Sequence, residues 1–474
     1  VGYFAPNRMD DGYGLNSDVL KRLHQQGTQM IISVDCGIAN AEQADLANEL
    51  GLELVITDHH EFGDRLPAAT AIVHPRLPGS DYPFGGLCGA GVAFKLAWLL
   101  CQLDSGTEKV TPEHRDFLMM ILGIAAIGTV TDVVPLVDEN RAIVMHGLHS
   151  LKNQACLGVE ALKKVTKIHN KPRLHSDDIG FNLGPRLNAA GRLGQAALGV
   201  ELLATDDPKR ALELATYLDQ LNENRKTIER SINIAATKQI KETYDVDNDP
   251  AFVLAGHGWH AGVIGIVSGR LAEKYARPVI LIALDQLAIN PGIGSARSGG
   301  SVNLHKTLQQ CTEHLEKHGG HAAAAGLTIQ EKNVAAFRSD FCDQVAELLK
   351  TEGNMAELFI DAEAPFIQLT TQNVEQIQQL APFGQSNPRP VFVASEVEIV
   401  PKSAKRMGGG QRHLTVTLTQ FNKKIRCVAF GQGDWAEELD QVSGPIDVAF
   451  KPVINEFRGQ RNVELHLEDW RLSQ

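Results

Sequence analysis

A short apolar run that ends in three polar residues sets the strongest constraint on the fold of this chain. Leu54-Val55-Ile56-Thr57 has the continuous apolar character of a strand in a parallel sheet, and Asp58-His59-His60 follows it directly. In open α/β sheets, ligand-binding side chains collect just past the carboxyl ends of the strands. The run therefore predicts a parallel sheet with a metal-ligating group at one strand end, the alternative being a surface turn.

The same arrangement occurs twice more in the first third of the chain. The β-rich run Met30–Val34 ends in Asp35, and the uncharged stretch 117–127 leads into Asp132, which lies among apolar residues. A buried lone carboxylate is costly unless it is paired or bound to a cation. Each acid alone is explained by a cap or a turn, but together with His59 they predict a site for Mg²⁺ or Mn²⁺.

Composition indicates an ordinary globular protein with several domains. The chain has 474 residues, 43% hydrophobic and 22% charged, too many for one hydrophobic core. No uncharged apolar stretch is long enough to span a bilayer, and no signal peptide precedes the first strand. The seven cysteines form no Cys-x-x-Cys pair, which favours a reducing compartment and argues against structural zinc. We therefore expect a cytoplasmic protein without membrane association.

The charge is unevenly distributed along the chain. The net charge is −12, which disfavours nonspecific coating of nucleic acid, but residues 385–474 carry 12 basic and 11 acidic side chains. Within that tail, basic residues surround the glycines at 408–410. A basic glycine-rich hairpin on a β-rich module can follow a phosphate backbone, and a solvated loop is the alternative.

The chain predicts an α/β fold of three units. Apolar runs alternate with helical patterns over residues 1–204, which indicates a parallel sheet covered by helices. Residues 205–249 predict a long connecting helix that begins after Asp207, continues to about Tyr244 and is broken by the segment 245–250. A second α/β domain follows over 250–355, and short alternating strands over 356–474 predict a β-barrel.

Four glycine-rich segments are predicted to bind anions. Three lie in the second domain: 256–265 with His260, 294–300 with Ser295, Arg297 and Ser298, and 318–326 with Gly319, Gly320 and His321. Backbone amides at a helix N-terminus, hydroxyls and a bidentate arginine are all suited to phosphate. The fourth, 183–192, carries Arg186, Asn188 and Arg192, where structural ion pairs are an equal alternative. Gly85-Gly86 and Gly89-x-Gly91 are better explained by close helix packing.

These motifs, taken in order, resemble the DHH phosphoesterase family and most closely its RecJ group of bacterial single-strand-specific exonucleases. The resemblance covers nearly the whole chain, including the segment 382–388 that precedes an OB-like domain. The motifs that carry it are Val-Asp35-Cys-Gly, Thr-Asp58-His59-His60, Gly-Thr-Val-Thr-Asp132-Val-Val-Pro, Gly-Pro-Arg186-Leu-Asn188-Ala-Ala-Gly-Arg192, Gly-Trp259-His260, Gly-Ser295-x-Arg297-Ser298 and Gly319-Gly320-His321.

The resemblance implies a 5′-to-3′ exonuclease that degrades single-stranded DNA to mononucleotides in recombinational and mismatch repair. Asp35 would bridge two Mn²⁺ or Mg²⁺ ions, His59 and Asp132 would complete one ion's shell, Asp58 would support that shell, and His60 would contact the scissile phosphate. The substrate-binding set would be Arg186, Asn188, Arg192, His260, Ser295, Arg297, Ser298, Gly319, Gly320 and His321. A helicase and a single-strand-binding protein are the protein partners that it suggests.

The sequence departs from the family pattern at its start. RecJ-like proteins carry an earlier Asp-x-Asp-Ala-Asp-Gly motif that supplies further ligands, and it does not occur here. Met9-Asp10-Asp11-Gly12 does not replace it, because the surrounding residues resemble the family sequence just after that motif. We therefore expect an N-terminally incomplete chain with weak or absent nuclease activity. Cys36 also stands where the family usually has asparagine.

Two other functions are compatible with these motifs. One is a DHH phosphodiesterase that acts on short oligonucleotides or cyclic dinucleotides, which the OB-like domain disfavours. The other is a catalytically impaired single-strand-binding fragment, which the absent motif permits but the retained acids and histidines of the site disfavour.

Overall fold

The structure is a computed structural model, and it describes residues 1–6, 14–300, 302–352, 357–457 and 459–473. The side chains of residues 351, 352 and 457 are not included in the description. The segment Met9-Asp10-Asp11-Gly12 lies outside the described residues. The predicted domain limits at 204, 249 and 355 stay predictions.

The first domain begins with the predicted parallel sheet. Its three strands pair in the order β1 (Met30–Val34), β2 (Glu53–Thr57) and β3 (Ala71–Val73), and Val34 pairs with Thr57. Helices α1 (Ser17–Gln25) and α2 (Ala41–Glu49) contribute Leu20, Ala44 and Ala47 to a small core with Leu54 and Ile56 of β2. The two acidic strand ends therefore lie side by side, as the sequence predicted.

Beyond β3 the first domain is helical, so the predicted alternation of strands and helices is wrong for this part. The apolar runs here recur at helical spacing or exceed the usual length of a strand. The helices are α3 (Gly89–Ser105), α4 (Pro112–Thr131), α5 (Asp138–Asn153), α6 (Leu157–Val165), α7 (Ser176–Asp178), α8 (Gly184–Arg192) and α9 (Ala196–Ala204).

Helix α4 is the one helix in the described residues that is long and apolar enough to cross a membrane. It lies between α3 and α5, and its Leu122, Ala125 and Ala126 are buried in the main hydrophobic core of the first domain. One such helix is weak evidence of a membrane span, because a core helix of a globular domain meets the same length and composition criteria.

The predicted connector is a single helix, α10 (Pro208–Thr243). Asp207 caps it by accepting a hydrogen bond from the amide of Lys209. Its first half buries Leu214 and Leu218 in the core of the first domain, and its second half buries Ile232 and Ile240 in that of the second. This single helix therefore packs into the cores of both domains.

The second domain is a five-stranded mixed sheet with the order β4-β5-β6-β8-β7. Only β4 and β5 are parallel. Helices flank the sheet, and Phe337 and Phe341 of the last helix are fully buried against it. The elements are β4 (Phe252–His257), α11 (Ala261–Tyr275), β5 (Val279–Leu284), β6 (Gly292–Arg297), α12 (Leu304–Gln310), β7 (Leu315–Gly320), β8 (Ala324–Ile329) and α13 (Val334–Glu352).

The third domain has the strand arrangement of an OB-like barrel, as predicted. The strands pair in the order β10-β14-β15-β13-β12, and β12 returns to β10 through two residue pairs, Glu398 with Thr419 and Ile399 with Leu418. Its elements are β9 (Ala362–Glu363), α14 (Thr371–Ile377), β10 (Phe392–Ile399), β11 (Lys405–Met407), β12 (His413–Gln420), β13 (Lys423–Ala429), α15 (Trp435–Gln441), β14 (Ile446–Phe457) and β15 (Gln460–Leu472).

Candidate active site

Three predicted metal ligands meet at the edge of the first sheet. The Nε2 atom of His59 lies 3.1 Å from Oδ1 of Asp35 and 3.5 Å from Oδ2 of Asp132. The His59 side chain is largely buried, whereas those of Asp35 and Asp132 are partly exposed. Ligand atoms of Asp35, His59 and His60 also lie within 4.8 Å of one another. The structure thus brings an acid–imidazole cluster to a surface that solvent and substrate can reach.

The backbone that presents these ligands differs from the prediction at one position. Asp35 follows β1, has a φ of 64°, and donates its amide to the carbonyl of Thr57. Asp132 does not follow a strand, because the run before it forms α4 and Asp132 is the C-cap of that helix. The next residue, Val133, has a φ of 60°, which is strained for a β-branched side chain. The site is therefore built from strand ends and one helix end.

Asp58 supports the histidines and does not face the cluster itself. Its side chain is buried, accepts from the amides of Ile38, His59 and His60, and lies 2.7 Å from Nδ1 of His60. Burial alone would raise the pKa of Asp58, but these hydrogen bonds outweigh it and hold the pKa at about 2. The bond to Asp58 in turn raises the pKa of His60.

The cluster fits a hard divalent cation. Nε2 of His59 is buried and has no hydrogen-bond partner among the described residues, although two carboxylates lie close to it. Burial raises the pKa of Asp132, so this carboxyl lacks adequate stabilisation of its charge. A cation bound by one imidazole and two carboxylates would satisfy both groups, and oxygen-rich sets with imidazole suit Mn²⁺ or Mg²⁺.

Two neighbouring residues shape this cluster, and sequence reasoning gave them no role in the site. A β-carbon on Gly89 would overlap the Asp35 carboxylate, so the glycine that opens α3 lets the helix approach the ligand. The signal in the sequence, a small residue at a predicted helix start, was interpreted only as helix packing. Burial raises the pKa of the Cys36 thiol to about 11, which keeps it neutral beside the acids.

Arg297 and Ser295 form a cationic surface on the second domain. They lie on β6, so the first half of the glycine-rich segment 294–300 is a strand, and the glycine at 294 allows Leu327 of β8 to pack closely. The Arg297 guanidinium donates to Oγ of Ser295 and to the carbonyl of Ala296. It has no carboxylate partner among the described residues, and burial lowers its pKa. A half-buried arginine without a counterion is suited to bind an anion.

His260 and Arg192 connect the two surfaces. Helix α11 begins at Ala261, inside the glycine-rich segment 256–265, and the His260 side chain caps it by accepting from the amide of Gly262. Arg192 of α8 donates to the Gly262 carbonyl. The glycine at 265, in the next turn of α11, lets the helix lie against Ser295 and Arg297. The segment 183–192 thus consists mainly of helix α8, which contacts the second domain through Arg192.

The remaining predicted substrate ligands divide into two groups. Asn188 and Arg192 line a cavity of about 390 Å³ together with Asp35 and Asp132. Arg186 forms an ion pair of 2.9 Å with Asp219, the structural alternative that the sequence left open. The hydroxyl of Ser298 is buried and bonded within its own loop, to the carbonyls of Gly300 and Val302.

Gly319, Gly320 and His321 lie on the hairpin between β7 and β8. Gly320 has a φ of 136°, and a β-carbon there would crowd Ala324 and Ala325 of the facing strand. The amide of His321 donates to the carbonyl of Ala324, which closes the turn of this hairpin.

Three family models match this chain in consecutive regions. The N-terminal domain of the DHH family matches residues 1–129, the DHHA1 domain matches residues 248–347, and the RecJ OB domain matches residues 360–469. These regions contain the parallel sheet, the mixed sheet and the barrel described above.

Known proteins are similar over the whole chain. The chain is 35% identical to the single-stranded-DNA-specific exonuclease RecJ of Bacillus subtilis, covering 100% of this chain and 58% of that protein, and 35% identical to RecJ of Haemophilus influenzae, with 98% and 81% covered. The crystal structure of Thermus thermophilus RecJ in complex with Mn²⁺ has a TM-score of 0.79 and 30% identity, covering 96% of this chain and 64% of that one. The chain therefore belongs to the RecJ family of DHH phosphoesterases.

Proposed function

We propose that this chain is a metal-dependent exonuclease that hydrolyses single-stranded DNA to mononucleotides from the 5′ end, in recombinational and mismatch repair. The observation that carries the proposal is the cavity that Asp35 and Asp132 share with Asn188 and Arg192. Carboxylates suited to a cation lie there next to an amide and a guanidinium suited to a phosphate, and this combination supports cleavage of a phosphodiester. The names of the two bacterial relatives support the same substrate.

The cation site consists of Asp35, His59 and Asp132. Bound Mn²⁺ or Mg²⁺ would supply the Lewis acidity that activates water and stabilises the leaving oxygen. We expect two ions, with Asp35 as their shared ligand. The Mn²⁺ complex of the Thermus relative supports this choice of metal.

The Asp58–His60 pair acts on the phosphate. Because Nδ1 of His60 is bonded to Asp58, contact with the scissile phosphate falls to Nε2. The bond to Asp58 raises the pKa of His60 and fixes the orientation of its ring. A hydrogen-bond donor held in a fixed orientation can stabilise the negative charge that develops on the phosphate oxygens.

The second and third domains bind the strand. Arg297, Ser295 and His321 hold the 5′ end, with Arg297 supplying paired donors for a terminal phosphate. The OB-like domain binds the strand further from the cut by stacking and charge. Arg406 of the basic hairpin contributes little, because it is already paired with Glu437 and Asp434.

The proposed setting is the cytoplasm, where single-stranded DNA is the substrate. A helicase that unwinds duplex DNA and a single-strand-binding protein are the proposed partners, since an enzyme confined to single strands needs a source of them. No membrane association is proposed.

The test is digestion of a single-stranded oligonucleotide labelled at either end, with Mn²⁺ or with EDTA. We expect Mn²⁺-dependent release of mononucleotides from the 5′ end and no digestion of blunt duplex DNA. We expect a low rate, because the Asp-x-Asp-Ala-Asp-Gly motif does not occur in the sequence. His60→Ala should abolish the activity, and His169→Ala, at an exposed histidine after α6, should retain it.

Two results would contradict the proposal. Preferential cleavage of cyclic dinucleotides or of very short oligonucleotides would support the other DHH phosphodiesterase activity. Tight binding of single-stranded DNA with no Mn²⁺ uptake and no cleavage would support a binding protein.

A further inference from the structure

A loop at the start of the third domain packs beside a predicted metal ligand of the first domain. This loop, residues 381–389, is called the docking loop below. The carbonyl of Gln385 accepts a hydrogen bond of 2.8 Å from the amide of Leu136. Leu136 ends the short segment 132–136 that begins with the ligand Asp132. The third domain is thereby bonded directly to the backbone that carries the ligand.

Further contacts hold the docking loop in place. Phe383 accepts a bond of 2.6 Å at its carbonyl from Oγ of Ser176, and Arg141 donates to the carbonyl of Ala381 at 3.1 Å. A β-carbon on Gly384 would lie 2.6 Å from Cδ1 of Leu136. Leu136 is buried in the core of the first domain and cannot easily move away. The approach is therefore close enough to require a glycine.

The docking loop is internally braced by one side chain. Nδ2 of Asn387 donates to the carbonyls of Pro382 and Leu380, at 2.8 and 3.1 Å, and its backbone pairs in both directions with Gly384. These bonds fix the loop before it meets the first domain. The carbonyl of Gln385 is thus presented by a rigid support.

The segment 132–136 needs such a support. Val133, directly after Asp132, has a φ of 60°, and a strained non-glycine residue persists only where its surroundings fix it. On the side of the first domain, Nδ2 of Asn140 bonds the carbonyl of Pro135. The amides of Asp132 and Val133 bond back into α4, and the amide of Leu136 bonds to the docking loop, so the third domain anchors the far end of this strained segment.

We infer that the docking loop is a positioning element for the cation site, holding the Asp132 carboxylate next to His59. The inference rests on the proposed function. It gives the third domain a role that does not depend on binding DNA. Residues that orient metal ligands commonly change metal affinity by about 10–100-fold when they are replaced.

The test is Mn²⁺ binding to the metal-free chain by titration calorimetry, without DNA. Asn387→Ala loosens the docking loop, and Gly384→Ala forces it away from Leu136. We expect each to raise the Kd for Mn²⁺ by about tenfold. Cleavage at saturating Mn²⁺ should be largely restored, because the effect is on metal affinity.

Two matched substitutions serve as controls. Asn373→Ala removes a similar bond, from Nδ2 to the carbonyl of Gln368, elsewhere in the third domain. Gly199→Ala adds a β-carbon on α9 with only an ordinary contact, 4.0 Å to Leu187. Both should retain the Kd of the unsubstituted chain, and circular dichroism checks the fold of all variants.

The outcomes separate the two claims. If the unsubstituted chain binds Mn²⁺ and both docking-loop variants bind it equally well, the inference is wrong and the proposed function stands. If the unsubstituted chain binds no Mn²⁺, the proposed function is wrong and the inference falls with it. Should Gly384→Ala fail to fold, Asn387→Ala and Ser176→Ala decide the matter.

Discussion

The candidate active site has an acidic side in the first domain and a cationic side in the second, and the two sides use different parts of the backbone. The first domain places its acids and imidazoles at the ends of secondary-structure elements, where Asp35 follows a strand and Asp132 caps a helix. The second domain places Ser295 and Arg297 within strand β6, with Arg297 as its last residue, against the start of α11. The first side needs cations and the second needs anions, so each side should be separable from the other by mutation.

The first prediction removes the metal-binding side. Asp35→Asn removes the charge of a proposed ligand, and we expect the affinity for Mn²⁺ to fall by more than about 100-fold, beyond the range for outer-sphere partners. Nuclease activity should fall with it, whereas binding of single-stranded DNA in EDTA should stay. Calorimetry and a filter-binding assay measure the two quantities. Asp104→Asn, on an exposed acid of α3, is the matched control, and loss of DNA binding in Asp35→Asn would show that the two sides are not independent.

The second prediction removes the anion-binding side. Arg297→Lys keeps the charge but loses the paired donors, so we expect the KM for a 5′-phosphorylated oligonucleotide to rise by about 10–30-fold. The Kd for Mn²⁺ should not change. The same oligonucleotide with a 5′-hydroxyl is the control substrate, and its KM should change little. An equal rise for both substrates would place Arg297 away from the 5′ end.

The third prediction uses pH to test the hydrogen bonds by which Asp58 supports the acidic side. The pKa of Asp58 is about 2 in the folded chain and 3.8 ordinarily, so its stabilisation is present above 3.8 and is lost as pH falls toward 2. In EDTA, the unfolding free energy of the unsubstituted chain should exceed that of Asp58→Asn at neutral pH, and this excess should shrink by about 2 kcal/mol on acidification. Urea unfolding at several pH values measures it. The excess should also fall as pH rises through the raised pKa of His60, and a constant excess would contradict the assigned hydrogen bonds.

The two sides also differ in how far the sequence predicted them. Asp35 and Asp58 were placed correctly because strand ends of a parallel sheet meet at one edge. The helix before Asp132 was not predicted, since a long apolar run has no period that separates a buried helix from a strand. The glycine-rich segments were predicted to bind anions, but the glycines at 265 and 294 allow close packing of helix and strand. Glycine has several structural uses that sequence alone does not distinguish.

The OB-like domain was predicted from its alternating strands, but its contact with the first domain was not. Leu136 and Gln385 are far apart in the sequence, and the bond between them involves only backbone atoms. No side-chain pattern records such a bond. The same limit applies to Arg186, where the ion pair with Asp219 became visible only when α8 packed on α10.

The fourth prediction has the smallest expected effect, and it replaces one glycine by alanine on each side of the site. Gly89→Ala places a β-carbon against the Asp35 carboxylate, and Gly265→Ala places one 3.0 Å from Oγ of Ser295 and 3.2 Å from Nη2 of Arg297. Because outer-sphere changes alter affinity by about tenfold, we expect Gly89→Ala to raise the Kd for Mn²⁺ by up to that factor and to leave the preference for a 5′-phosphate intact. Gly265→Ala should do the reverse, with the change in KM confined to phosphorylated ends.

The two substitutions add the same methyl group at helical glycines, so a difference between their effects on the Kd for Mn²⁺ and on KM reflects the position of each glycine. Gly199→Ala, which meets no close neighbour, reports what the methyl group does to the helix itself. If both site variants changed metal affinity and phosphate preference together, the cleft would respond as one unit, with Arg192 and its bond to Gly262 as the evident connection. Opposite responses would mean that the cation and the 5′ end are bound by surfaces that the two domains build independently.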